Sequence, residues 1–314
     1  MNYRIEIQPP DITPYRDGNT AVDYVRTLDS KKPGPHVMVQ ALTHGNEFCG
    51  AIALEFLFSQ EVKPVKGKLT LAFANVAAFE RFDFGDPDRS RYIDEDYNRV
   101  WADEVIGGQR DSAELRRARE LRPFVDAADF LLDLHSMHEP CRPIMVCGML
   151  DKGAELARRV GVPADLLIDT GHPAGLRMRD RGGFGDPNSP KNALLIECGQ
   201  HWEKSSVDVA IDTTLRFLNA IGVVEESFVN PRTRLPLPKL QRVVRVTEAV
   251  VARTMDFKFA RPWKGLEVID RAGTVVATDG DRTWRTPYDE CVLVMPSLAH
   301  LKPGTTMVRL GRYD

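Results

Sequence analysis

HVMVQALTHGNEFCGAIALEFLF, residues 36–58, decides the fold. A short apolar, β-rich run, His36 to Ala41, breaks at Thr43-His44-Gly45-Asn46-Glu47. It gives way to GAIALEFLF, whose apolar positions recur at helical spacing. A strand that turns directly into a helix is the repeating unit of an α/β sheet.

The same alternation extends outward from about Pro35 to Ala220. Further strands are predicted over Leu69 to Ala74, Phe130 to Leu134, Ile144 to Cys147 and Ala193 to Ile196. Covering helices are predicted for AELRRARELRPFV after Ser112 and VDVAIDTTLRFLNAI after Ser206. The pattern stops after Asn230, where PRTRLPLPK packs three prolines into a polar stretch that cannot continue a helix. Beyond it, VVRVTEAVVAR, KGLEVIDRAGTVVATDGD, ECVLVM and TTMVRLG alternate between turn signals without a strong helical pattern. The expected division is a domain over 1–230 and a smaller β-rich domain over 231–314, a size that suits 314 residues.

Composition narrows the function. Lys and Arg number 42 against 45 Asp and Glu, and no basic run stands out, so no field for nucleic-acid phosphates is expected. A mean hydropathy of -0.29 and the lack of an apolar run of about 18 residues argue against a membrane partner. The opening MNYRIEIQPPDITPYRDG has early charges and no apolar signal core, which makes the cytoplasm the expected location. Cys49, Cys141, Cys147, Cys198 and Cys291 are odd in number and scattered, so reduced thiols are expected. Cys198 is read as a small buried hydrophobe. A homo-oligomer is compatible with all of this.

Chemistry concentrates where strands end. His44 and Glu47 form an H-x-x-E pair on the first strand-to-helix turn, and Gly45 permits a tight backbone there. His135, in LLDLHS, comes from the carboxyl end of another apolar strand. Two His and one carboxylate leave an open position for water, the arrangement of catalytic zinc sites. Asp133, two residues earlier on the same strand face, can orient the His135 ring. ALLIE delivers Glu197 to the same sheet edge, where partial burial would raise its pKa and suit it to act as general base. Between these segments, RSRYIDEDYNR (89–99) is dense in guanidinium groups and reads as an anion clamp.

Together these residues resemble the succinylglutamate desuccinylase/aspartoacylase family, a branch of the zinc carboxypeptidase-like hydrolases. The resemblance implies a carboxypeptidase-like mixed sheet flanked by helices, with the C-terminal β domain bordering the substrate channel. It implies one Zn2+ per chain on His44, Glu47 and His135, and Glu197 as the base that activates water. RYIDEDYNR is especially similar to its aspartoacylase counterpart, which implies Arg91 at the scissile carbonyl and Asn98 with Arg99 on a substrate carboxylate. The implied substrate is a small carboxylate-bearing N-acyl amino acid, deacylated by amide hydrolysis. The pattern departs where aspartoacylases carry an Arg for a second carboxylate: here Arg177, Arg179 and Arg181 precede Glu197 at different spacing, and none is assigned. His138, His201 and His300 stay open between substrate contact and a supporting role. The alternatives are a metallocarboxypeptidase acting on peptides and a non-catalytic metal-bound binding module.

Overall fold

A computed structural model describes residues 3–314; Met1 and Asn2, the first residues of the polar opening segment, lie outside the described residues. The strands are β1 (Val25–Asp29), β2 (His36–Ala41), β3 (Lys68–Phe73), β4 (Phe130–Met137), β5 (Ile144–Gly148), β6 (Asp165–Ile168) and β7 (Asn192–Gln200). They continue as β8 (Arg242–Val251), β9 (Lys258–Phe259), β10 (Glu267–Ile269), β11 (Val275–Asp279), β12 (Arg282–Arg285), β13 (Cys291–Val294) and β14 (Thr306–Tyr313). Eleven of them form one mixed sheet in the order β1-β3-β2-β4-β7-β5-β6-β8-β14-β13-β10, and β12-β11-β9 form a small second sheet.

β3, β2, β4 and β7 run parallel at the sheet centre. Strands buried on both faces should read as largely apolar runs, and these do, interrupted by a few buried polar residues such as Gln40, Thr70 and Asp133. Helices Phe48–Ser59 and Lys204–Ile221 cover one face, where Leu132, Leu134, Leu194, Ile196 and Cys198 point into the main core. Helix Ala113–Ala127 covers the other, packing Leu115, Ala118 and Leu121 near Leu131 and Ala193. Helix Phe48–Ser59 lies close on β4 because of Gly50: a Cβ there would stand 2.7 Å from the Leu134 Cβ.

β1, β6 and helix Asp151–Val160 add to the elements expected from sequence. The C-terminal strands extend the central sheet. β8 pairs parallel with β6, and β14 and β13 follow antiparallel. Val244, Val246, Val292 and Val294 share an apolar cluster with Ile144, Val146, Leu167 and Leu195 across that junction. Among the described residues no helix is long and apolar enough to cross a membrane.

Candidate active site

β2 ends at Ala41, the backbone passes through Leu42 at φ 59°, and Thr43 to Glu47 form the turn into the helix at Phe48. A non-glycine residue in that left-handed region costs about 1 kcal/mol or more and persists only where its surroundings hold it. Gly45 is required for close approach and not for φ: a Cβ would run into the Ser90 carbonyl and the Phe79 amide. Its N–H donates to the Arg91 carbonyl at 3.1 Å, which ties the turn to the arginine segment.

Glu47 occupies the helix N-cap, yet its carboxylate makes no capping bond. Instead Oε1 lies 2.7 Å from His44 Nδ1, and Oε2 lies 3.0 Å from His135 Nδ1 while accepting the Ser136 N–H at 3.1 Å. All three side chains are buried, and their ligand atoms lie within 4.8 Å of one another. Burial alone would raise the Glu47 carboxyl, but the two imidazoles hold it well below the usual carboxylate range. Each His presents Nδ1 to this centre and gives Nε2 to a carboxylate. His135 Nε2 meets Asp133 Oδ2 at 2.8 Å, and His44 Nε2 meets Asp96 Oδ1 at 3.1 Å. Two imidazoles and a carboxylate, with the outer ring nitrogens held by acids, form a donor set that fits zinc.

Glu197 lies in register beside His135 on the same face of the sheet. Both strands run on past these residues, to Met137 and Gln200, with a register shift after His135, so neither residue is a strand terminus. Glu197 Oε2 is buried without a hydrogen-bond partner among the described residues. Burial pushes its carboxyl up to about 7, against the pull of His135 and with the help of Glu47.

The arginine segment closes one side. Arg91 leans on the ligand cluster, with Nη2 3.0 Å from His44 Nε2 and Nη1 3.4 Å from Glu47 Oε1. Asp96 binds Arg91 at 3.3 Å, sits 3.8 Å from Arg99 and accepts the Asn98 N–H at 2.9 Å. Asn98 Oδ1 accepts the Met178 N–H at 3.0 Å, which fixes the amide and leaves its NH2 as the donor. Burial lowers the Arg99 guanidinium to about 10, with Asp96 opposing. One cavity is lined by His44, Glu47, His135, Glu197, Arg91, Asn98 and Arg99, so the structure brings every site residue expected from sequence together.

The open cases resolve in different ways. Arg177 makes a bidentate pair with Asp169 at 2.7 Å and 2.7 Å and reaches Asp180 at 2.6 Å. Arg179 is held by Asp180 and the Ala193 carbonyl, and Arg181 by Asp126, Asp103 and the Trp101 carbonyl. His138 faces the cavity between Asp88 and Glu139, each at 3.2 Å, and those bonds raise it to about 9. His201 is buried against the Ser136 hydroxyl at 2.9 Å, and burial lowers it to about 3. His300 is exposed at the cavity mouth. Cys198 points into the opposite core, where burial raises its thiol, so it takes no part in this site. The reading from sequence did not assign Asp96, although its position two residues before Asn98 is that of an Asx turn. It also assigned nothing beyond residue 230, where Thr306 and Arg309 of β14 line the cavity.

The succinylglutamate desuccinylase/aspartoacylase catalytic domain model matches residues 33–221. No curated protein matches the chain in sequence. Solved structures share the fold. Succinylglutamate desuccinylase of Vibrio parahaemolyticus superposes with a TM-score of 0.65 at 16% identity, over 93% of this chain and 86% of that one. The corresponding enzyme of Chromobacterium violaceum gives 0.63 at 17%, over 94% and 89%. An aspartoacylase family protein of Mesorhizobium loti gives 0.60 at 15%, over 92% and 88%. The domain match spans the turn, the arginine segment and both strands that carry His135 and Glu197, and the chain belongs to the succinylglutamate desuccinylase/aspartoacylase family of hydrolases.

Proposed function

We propose that this chain is a zinc-dependent amidohydrolase that removes the acyl group from a small, carboxylate-bearing N-acyl amino acid. In this reading residues 1–230 carry the catalytic set and residues 231–314 border the channel. The observation that carries it is the unpartnered Glu197 carboxylate, raised to about 7, beside the His44, Glu47 and His135 cluster and in one cavity with Arg99. A binding module has no use for such a base.

One zinc ion on His44, Glu47 and His135 would supply Lewis acidity and lower the pKa of water towards neutrality. Asn98 and Arg99 hold the amino-acid carboxylate. Arg91 donates to the oxygen of the scissile carbonyl as negative charge develops there. Glu197 takes a proton from the attacking water and returns it to the nitrogen as the C–N bond breaks, leaving a carboxylic acid and a free amino acid.

The test is amine release from N-acetyl, N-formyl and N-succinyl amino acids, beside short peptides, by zinc-loaded and chelator-treated protein. Zinc-dependent release from N-acyl amino acids is the expected result. Peptide trimming alone would make the protein a carboxypeptidase, and silence on both sets with zinc bound would leave a binding module.

A further inference from the structure

A substrate cut beside the ligand cluster has two halves, and Asn98 with Arg99 claim only the amino-acid half. The acyl half meets a different set of residues. His138, His201 and His300 gather in the same cavity, with the His138 ring centroid 6.1 Å from that of His201 and 6.3 Å from that of His300. His201 and His300 feel the charges of Arg91 and His44, whereas Arg99 feels those of Arg177 and Arg309. The ligand cluster therefore stands between an arginine end and a histidine end.

At the histidine end the fixed charge is negative. His138 gives Nε2 to Asp88 and Nδ1 to Glu139, each at 3.2 Å, so both N–H groups of its imidazolium are spent on carboxylates. Glu139 also accepts the Tyr3 hydroxyl and, at 3.4 Å, the Ser297 hydroxyl, while Asp88 accepts the Asn46 amide at 3.4 Å. Two acids against one imidazolium leave an excess of negative charge, and among the described residues neither acid pairs with an Arg or Lys. The other two histidines do not offset it. Burial lowers His201 to about 3, and the groups packed around His300, with Arg91 beyond them, lower it to about 4, so both rings are uncharged at neutral pH. Of the arginines that line the cavity, Arg91 is paired with Asp96 and Glu47, and Arg99, Arg177 and Arg309 belong to the other end.

An acyl group ending in a carboxylate would bring a further anion to a place without a free cation. Like charges partly shielded from water repel more strongly than they do in bulk solvent. A neutral acyl group meets no such cost. Met137, next to His138, and Pro296, next to Ser297, offer it apolar contact in the same cavity.

We propose that Asp88, His138 and Glu139 set the acyl specificity of this chain, so that it accepts N-acyl amino acids with an uncharged acyl group and refuses those whose acyl group carries a carboxylate, such as succinyl. The proposal rests on the deacylase reading, and it parts this chain in substrate from the succinylglutamate desuccinylases whose fold it shares.

The experiment compares kcat/KM for the N-butyryl and N-succinyl derivatives of L-alanine and L-glutamate, in zinc-loaded wild type, Asp88→Asn and Glu139→Gln. Butyryl and succinyl are both four-carbon chains, so the comparison isolates the terminal carboxylate from length. Zinc content and circular dichroism serve as controls. Wild type should favour the butyryl compounds by at least about 30-fold, and each variant should raise the succinyl-to-butyryl ratio by about 10-fold, the effect of one unit charge several ångströms away in a partly screened site. A merely structural role for the three residues would lower both activities and leave the ratio where it was. Succinyl compounds cleaved by wild type as fast as butyryl ones, or no relative gain on them in either variant, overturns the proposal. Failure of zinc-loaded wild type on these compounds and on their N-acetyl counterparts defeats the deacylase reading on its own. Charge selection is then judged by thermal shift: stabilisation of wild type by N-butyryl-L-alanine and not by N-succinyl-L-alanine, with a gain for the succinyl compound in Glu139→Gln, supports it, and any other result overturns it.

Discussion

Glu197 sits where two effects oppose each other: burial favours its protonated form, and His135 favours the carboxylate, with burial winning to bring it to about 7. A general base must be deprotonated, so a raised pKa places the loss of activity on the acid side. kcat/KM should rise with pH along an acidic limb whose midpoint lies between the ordinary Glu value of about 4.3 and about 7, because a bound cation pulls it down from the higher figure. Glu197→Gln should lower kcat by about 100-fold or more and keep the zinc. A variant that loses zinc would show Glu197 to be a ligand. The cluster of His44, Glu47 and His135 was legible because these residues stand at the ends of apolar runs, where a polar residue is conspicuous. Asp96 and Arg309 were not. Asp96 is one acid among several in RYIDEDYNR, and TTMVRLG reads as an ordinary alternating strand whose Arg could as well face solvent.

The arginine segment has no regular secondary structure over residues 91–96, so its position must come from a neighbouring element. Helix Ala113–Ala127 supplies it. Ser112 caps the helix by accepting the Leu115 N–H at 3.0 Å, and Glu114, in the first turn and fully buried, accepts the Ile93, Asp94 and Glu95 amides at 2.7, 3.1 and 3.3 Å. Three backbone donors on one carboxylate hold the loop that carries Arg91, Asn98 and Arg99. Glu114→Ala leaves those amides without their acceptor and should destabilise the fold by about 3 kcal/mol. The same variant should raise KM and lower kcat/KM by at least about 10-fold with zinc affinity unchanged, read from denaturant melts, kinetics and chelator competition. Unchanged kinetics would mean that the loop holds itself. The helix was visible in sequence through its spacing, but its service to a loop some twenty residues away was not, because periodicity reports which face is apolar and says nothing of a buried Glu on that face. Helix Asp151–Val160 escaped reading for a related reason. Gly153 looks like a break, yet it lets the helix lie against β5, where a Cβ would strike the Cys147 carbonyl.

Over the whole molecule, the elements change after the prolines that follow Asn230, from alternating strands and helices to strands alone. Alternation identifies a strand but not its partner, so nothing in the residue pattern marks the docking of β8 on β6 that prolongs the central sheet. That pairing has a thermodynamic consequence. Removing residues 231–314 would bare the β6 edge, expose Ile144, Val146, Leu167 and Leu195 of the shared cluster, and take Thr306 and Arg309 out of the cavity. An unprotected parallel edge beside exposed apolar side chains is an aggregation template. The chain should therefore unfold in a single calorimetric transition, and a fragment of residues 1–230 should be insoluble or melt without cooperativity even when zinc is added. Two resolved transitions in the full chain, or a cooperatively melting fragment that cleaves N-acyl amino acids, would show that the C-terminal strands fold apart from the catalytic set. A single transition would mean that the wall carrying Arg309 shares the stability of the sheet carrying Glu197, so that a destabilising change on either side loosens the geometry between them.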